Sequence, residues 1–215
     1  MTIAPFSADI AQGPDGGVAH WVTASDGVKI RVAHWLPAEK GARDALKGTV
    51  LLFPGRTEYI EKYGPAAADF AARGYAMVAV DWRGQGIADH TCDNPLLGDV
   101  VNFKDYQKDV AARMGHLTTL DVPKPYFLAA HSMGGCIGLR ALIDGLPVNA
   151  VAFSAPMWGI SMTAPMRPIA WSISSLSRKF GFETSIAPGQ TTQSYVCRVT
   201  FAENTLTSDR EMFDF

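Results

Sequence analysis

Ser132 is the residue in this sequence best suited to attack an electrophile. It lies in Ala130-His131-Ser132-Met133-Gly134-Gly135, where the apolar run Tyr126-Phe127-Leu128-Ala129-Ala130 ends and a helical stretch from about Met133 to Asp144 begins. A strand that becomes a helix within one residue forces the residue at the bend into a strained, positive-φ backbone and pushes its side chain outward. Strand and helix then nearly touch, so the residues two positions away must be small, as Ala130 and Gly134 are. The positive N-terminal end of the helix points at negative charge developing beside the serine. A tight glycine-rich turn with an idle serine would carry the same residues. His131 adjoins Ser132 but points the wrong way to act as its base, and is expected to pack beside the bend.

Negative charge on a tetrahedral intermediate needs donors. Phe53-Pro54-Gly55-Arg56-Thr57-Glu58 directly follows a buried strand. Such a loop supplies one backbone N–H of an oxyanion hole, and the residue after the nucleophile supplies the other. The candidate donors are the amides of Arg56 and Met133, with Gly55 letting the backbone turn. One donor of this kind is worth roughly 3 kcal/mol. A simple strand-to-helix turn is the competing explanation. Asp81-Trp82-Arg83-Gly84-Gln85-Gly86 follows a second buried strand. It is expected to brace the cleft, with Asp81 binding backbone amides rather than acting as a triad acid.

The elements that must position these residues follow from pattern. Residues 1–16 carry Gly and Pro and resemble a loose leader. Strands are expected near 18–24 and 28–36, with a hairpin turn at Ser25-Asp26-Gly27. Thr49–Phe53 and Ala76–Val80 are continuous apolar runs, which suit strands buried on both faces of a parallel sheet. Between them, Tyr59, Tyr63, Ala66, Ala67 and Phe70 share a helix face that Gly74 ends. Phe103, Tyr106, Val110, Met114 and Leu117 recur at helical spacing, with Asn102 as N-cap. Val148–Ala155 is a further strand. Strand and helix alternate, so the expected fold is α/β, with a mainly parallel sheet covered by helices on both faces. The core spans 1–156; residues 157–215, rich in Met, Trp, Ser, Thr and Pro, are expected to form an inserted, partial cap.

Four segments now stand in a fixed order: Pro54–Glu58, Asp81–Gly86, His131–Gly135 and Ser154-Ala155-Pro156-Met157. In this order the chain resembles the lysophospholipase and monoacylglycerol-lipase branch of the α/β-hydrolases, over about residues 18–215. That branch usually has His where Pro54 stands, and the microbial lysophospholipase-like members are the nearer relatives; Phe201, Asn204 and Leu206–Asp209 resemble their cap. The resemblance implies an acyl-serine mechanism on carboxylic esters such as lysophospholipids or monoacylglycerols. It implies no metal and no organic cofactor.

In this fold the triad runs serine, acid, histidine along the chain. The five histidines are His20, His34, His90, His116 and His131, and none follows Ser132. The chain is therefore expected to be a fragment, without the late strands, the triad acid or its histidine. Taken alone it is expected to be nearly inactive and poorly soluble. Two alternatives exist. A strand over Tyr195–Phe201 could present Glu203 as the acid, and His90 could approach from its loop; chain order disfavours both.

Composition sets the outer limits. The 215 residues are 47% hydrophobic and 19% charged, with a net charge of -2 and no basic block, which suits a packed domain and argues against a nucleic-acid surface. Cys92, Cys136 and Cys197 are an odd number at unrelated spacings, neither a disulfide framework nor a zinc site. A cytoplasmic setting fits best, and peripheral membrane contact and oligomeric state stay open. Met157, Trp158, Ile160, Met162, Met166, Ile169, Trp171, Ile173 and Leu176 suit a lid over an acyl chain or an ordinary buried core. Two function classes fit: a carboxylic-ester hydrolase acting on a small-molecule ester or lipid, and a non-catalytic relative that binds a ligand in the same cleft.

Overall fold

The computed structural model describes residues 2–92, 94, 97–182, 184–185 and 198–214. Its sheet has seven strands, β1 (Thr2–Ala4), β2 (Gly17–Thr23), β3 (Lys29–Trp35), β4 (Thr49–Phe53), β5 (Ala76–Asp81), β6 (Tyr126–His131) and β7 (Ala150–Ser154), in the order β1-β2-β3-β5-β4-β6-β7. The sheet is mixed, with a parallel block of four strands. β5, β4, β6 and β7 run parallel, while β1, β2 and β3 join antiparallel to one another and to β5.

The helices are α1 (Ala8–Ala11), α2 (Lys40–Asp44), α3 (Gly64–Ala72), α4 (Tyr106–Thr119), α5 (Met133–Ile143), α6 (Met166–Lys179) and α7 (Arg210–Asp214). Period-two alternation splits each central strand between two cores. Leu51, Phe53, Val78 and Val80 face Tyr106, Val110 and Leu117 of α4 and Ile137 of α5. Val50, Leu52, Met77 and Ala79 join Ile60 and Ala67 on the other face. Both faces are covered, which explains the unbroken apolar runs of β4 and β5. Each such Val, Leu, Ile, Phe or Met side chain contributes about 1.5–3 kcal/mol on burial.

One expectation is corrected. Residues 1–16 are not a loose leader: β1 pairs with β2, Thr2 opposite Trp21, and α1 follows. A strand of three residues with two of them exposed leaves no alternation to read. In the region after 157, α6 spans fourteen residues.

The chain divides into two compact units, Met1–Met166 and Arg167–Phe215. Among the described residues no helix is long and apolar enough to cross a membrane. Cys197 and Tyr195 lie outside the described residues. Arg198–Phe201 forms no strand, which removes the local structure that the Glu203 alternative required.

Candidate active site

β6 delivers Ser132 and α5 carries the chain away. Ser132 has φ 49° and ψ −119°, a conformation that is nearly confined to glycine. The bend is closed by hydrogen bonds on both sides. The Ser132 N–H donates to Ser154 O (3.1 Å), and the Ser132 carbonyl accepts from Gly135 N–H and Met157 N–H (2.9 Å each). A Cβ at Gly134 would stand 2.1 Å from Phe53 O and 2.5 Å from Pro54 O, so the first turn of α5 lies directly on the end of β4. Ala130 and Met133 are buried and Ser132 is half-buried. Met133 is the first residue of α5, one of the positions whose N–H has no intrahelical acceptor.

The loop after β4 is held at almost every position. Trp82 Nε1 donates to Pro54 O (3.1 Å), Gly55 N–H donates to Glu58 Oε2 (2.5 Å), Thr57 N–H donates to Gln85 Oε1 (2.6 Å) and Ile60 N–H donates to Asp81 Oδ1 (2.8 Å). Thr57 itself is strained, at φ 61°. The Arg56 N–H donates to no described group, while its guanidinium reaches Leu97 O. The loop abuts the bend, since a Cβ at Gly55 would come within 3.0 Å of Ser132 Cβ. Asp81, Trp82 and Gln85 thus act together as a brace.

Asp81 is fully engaged. Its Oδ2 accepts from Arg31 Nε (2.8 Å) and Ile87 N–H (3.2 Å) while Oδ1 holds Ile60 N–H. Burial pushes its carboxyl up to about 6 against the pull of Arg31 and the two amides. Arg31 also forks onto both oxygens of Glu61 at 2.8 Å. Arg83 makes a second buried pair with Asp109 (2.7 Å) and reaches Asp26 (2.8 Å).

Sequence reasoning gave Glu58 no role, yet it is buried beside the bend, 8% exposed. Its carboxylate accepts from Gly55 N–H, from the Tyr63 hydroxyl and from Lys62 Nζ (2.5 Å). Burial pushes its pKa up, but Lys62, Tyr63 and the Gly55 amide outweigh burial and leave it below the ordinary glutamate value. The available signal was the Glu58–Lys62 spacing of four, which returns a cation to the carboxylate; the Tyr63 hydroxyl, five residues on, gave none.

The histidines divide. His131 Nδ1 lies 3.1 Å from Ser154 O, and its Nε2 lies 3.8 Å from Glu58 Oε1. His90 Nε2 lies 3.4 Å from Gly86 O. His20, His34 and His116 cluster on β2, β3 and α4, with the first two rings stacked at 5.3 Å. Glu203 turns back onto Thr200, accepting from its N–H (3.2 Å) and its hydroxyl (2.8 Å). Among the described residues no three His, Cys, Asp or Glu side chains could hold a metal ion together.

A profile of the family described as "Serine aminopeptidase, S33" matches residues 44–212. The chain belongs to this family of α/β-hydrolases. Its sequence is similar to lysophospholipase L2 of Escherichia coli K12, 36% identical over 117 residues, covering 54% of this chain and 34% of that protein. It is also similar to a probable lysophospholipase L2 of Haemophilus influenzae, 32% identical over 124 residues, covering 57% and 39%. The match therefore spans little more than a third of these relatives' length. Among solved structures, hypothetical protein PA2218 of Pseudomonas aeruginosa superposes with a TM-score of 0.66 at 16% identity, over 89% of this chain and 65% of that one. A soluble variant of monoglyceride lipase from Saccharomyces cerevisiae, in complex with a substrate analog, superposes with a TM-score of 0.55 at 24% identity, over 79% and 55%. These structures share the S33 chain's α/β-hydrolase fold.

Proposed function

We propose that this chain carries the nucleophile and oxyanion hole of a serine hydrolase that cleaves carboxylic esters of the lysophospholipid or monoacylglycerol type. The observation that carries the proposal is the strained Ser132 backbone at the mouth of β6, with the untethered Arg56 amide on the adjoining loop. Ser132 Oγ attacks the acyl carbonyl, and the carbonyl oxygen gains the negative charge. The Arg56 and Met133 N–H groups receive that charge, each worth about 3 kcal/mol when fixed in advance. Collapse of the intermediate expels the alcohol and leaves an acyl-serine, which water then hydrolyses.

The kind of substrate is supported by the relatives' names and by the segment after β7. Trp158 Nε1 lies 3.4 Å from Gly135 O, and its ring meets Phe153 at 5.2 Å, so an aromatic surface adjoins the first turn of α5. Ile160, Met162 and Met166, within the segment proposed as the cap, are exposed apolar side chains. A serine hydroxyl is a weak nucleophile without a base. Among the described residues no imidazole is hydrogen-bonded to the Ser132 hydroxyl. This favours, as a second reading, a hydrolase-like protein that binds its ligand without turnover.

A fluorophosphonate probe separates the two. The hydrolase reading expects labelling of the full-length protein at Ser132, lost in Ser132→Ala, with p-nitrophenyl ester turnover lost in parallel. Ligand binding without labelling or turnover selects the second reading.

A further inference from the structure

We propose that Glu58 is a positioning residue that sets the direction of the oxyanion loop, and that Lys62 and Tyr63 make this possible by donating to its carboxylate. The inference rests on the hydrolase reading above and extends it to a residue that touches no reacting atom. A Cβ built on Gly55 lies 2.9 Å from Glu58 Oε2 and 3.0 Å from Ser132 Cβ, so those two atoms are no more than 5.9 Å apart. A carboxylate that close would repel an oxyanion if its charge were free. It is not free: an ammonium, a phenol and a backbone amide all donate to it.

The geometry gives the clamp a direction. Pro54 has no N–H, so residues 55, 56 and 57 supply the first amides of the loop. Glu58 takes the first and Gln85 takes the third. With both neighbouring amides tied, the peptide between them is restricted, and the Arg56 N–H is left for a substrate oxygen. Preorganisation of this kind lowers the barrier because no dipole must turn during reaction. The charge of Glu58 matters as much as its shape. A glutamine of equal size has one accepting oxygen: placed at the Oε2 position it turns its NH2 against Lys62, and placed at Oε1 it turns its NH2 against the Gly55 N–H and the Tyr63 hydroxyl.

Burial and Glu58 together hold the Tyr63 hydroxyl above its ordinary pKa. The phenol therefore stays a donor throughout the working range, and Tyr63→Phe removes one of the three supports while keeping the ring.

The experiment combines two readouts on the full-length protein. Amide hydrogen exchange is measured at Gly55 and Thr57 in wild type, Glu58→Gln and Tyr63→Phe, with α5 and β6 amides as internal references. The second-order labelling of Ser132 by a fluorophosphonate is resolved into probe affinity and bond-forming rate. The clamp predicts at least tenfold faster exchange at Gly55 in Glu58→Gln, with the reference amides unchanged. It also predicts a bond-forming rate at least tenfold slower at the same probe affinity, and about threefold effects in Tyr63→Phe. Unchanged Gly55 exchange in Glu58→Gln would overturn the proposal, as would a variant labelled at the wild-type rate. If wild type is not labelled at Ser132, the hydrolase reading fails separately, and Gly55 exchange alone decides whether Glu58 orients the loop.

Discussion

Ser132 holds a backbone conformation that L-residues avoid, and its cost is of the order of 1–3 kcal/mol. The neighbouring constraints are steric, since Gly134 cannot carry a side chain without displacing the carbonyls of Phe53 and Pro54. The strain is thus imposed by packing, and removing the side chain that suffers it should release free energy. Ser132→Gly is expected to unfold at a higher temperature than Ser132→Ala, by about 1 kcal/mol in thermal melts, although neither should react with a fluorophosphonate. Equal melting temperatures would show that the surroundings impose little strain. Much of this was legible in sequence. Ala130, Ser132, Met133 and Gly134 sit at fixed offsets, and a local bend depends on local residues. Gln85 and Glu58 were not legible as loop supports. Gln85 acts across 28 residues of chain, and nothing in its neighbours reveals which amide its oxygen will meet.

At the scale of elements, β2, β3 and α4 meet at three histidines. Burial, reinforced by their mutual repulsion, holds His34 and His116 down to about 4, and burial lowers His20 as well; Arg43 adds to the effect on His34. Unfolded histidine titrates near 6.5. Between those values the unfolded chain binds more protons than the folded one, so stability falls as pH drops from about 6.5 toward 4. Asp81, raised to about 6, works in the opposite direction over part of that window; the depressed histidines outnumber it. The melting temperature is expected to fall between pH 7.5 and 5, and to fall less in His34→Phe. An identical slope in the variant would exclude the cluster as the cause.

Elements buried on two faces were the easiest to foresee, because β4 and β5 show unbroken apolar runs, and α4 shows its period through Tyr106, Val110 and Leu117. Short or exposed elements were not. α2 buries no residue, whereas α6 carries Met166, Ile169, Ile173 and Leu176 at helical spacing although all four are exposed.

For the whole molecule, the two ends of the sheet differ. At one end β1 is a three-residue strand. At the other, β7 is five residues long, pairs only with β6 among the described residues, and leaves Val151 42% exposed. An open strand edge with apolar side chains is a template for pairing with another chain. The 215-residue chain is expected to self-associate as its concentration rises, seen by light scattering, and Val151→Lys is expected to reduce this severalfold. Scattering unaffected by the substitution would place the sticky surface elsewhere.

The guanidinium of Arg31 has a reach that its burial conceals. Its Nη1 donates to Pro5 O (2.9 Å) and Glu61 Oε1, and its Nε donates to the same Asp81 that holds the Ile60 amide. A continuous relay of polar contacts therefore connects the fifth residue of the chain to the loop facing Ser132. Trimming those first residues would unsettle a cation in the interior, and the disturbance would reach the Ile60 amide and the loop beside Ser132.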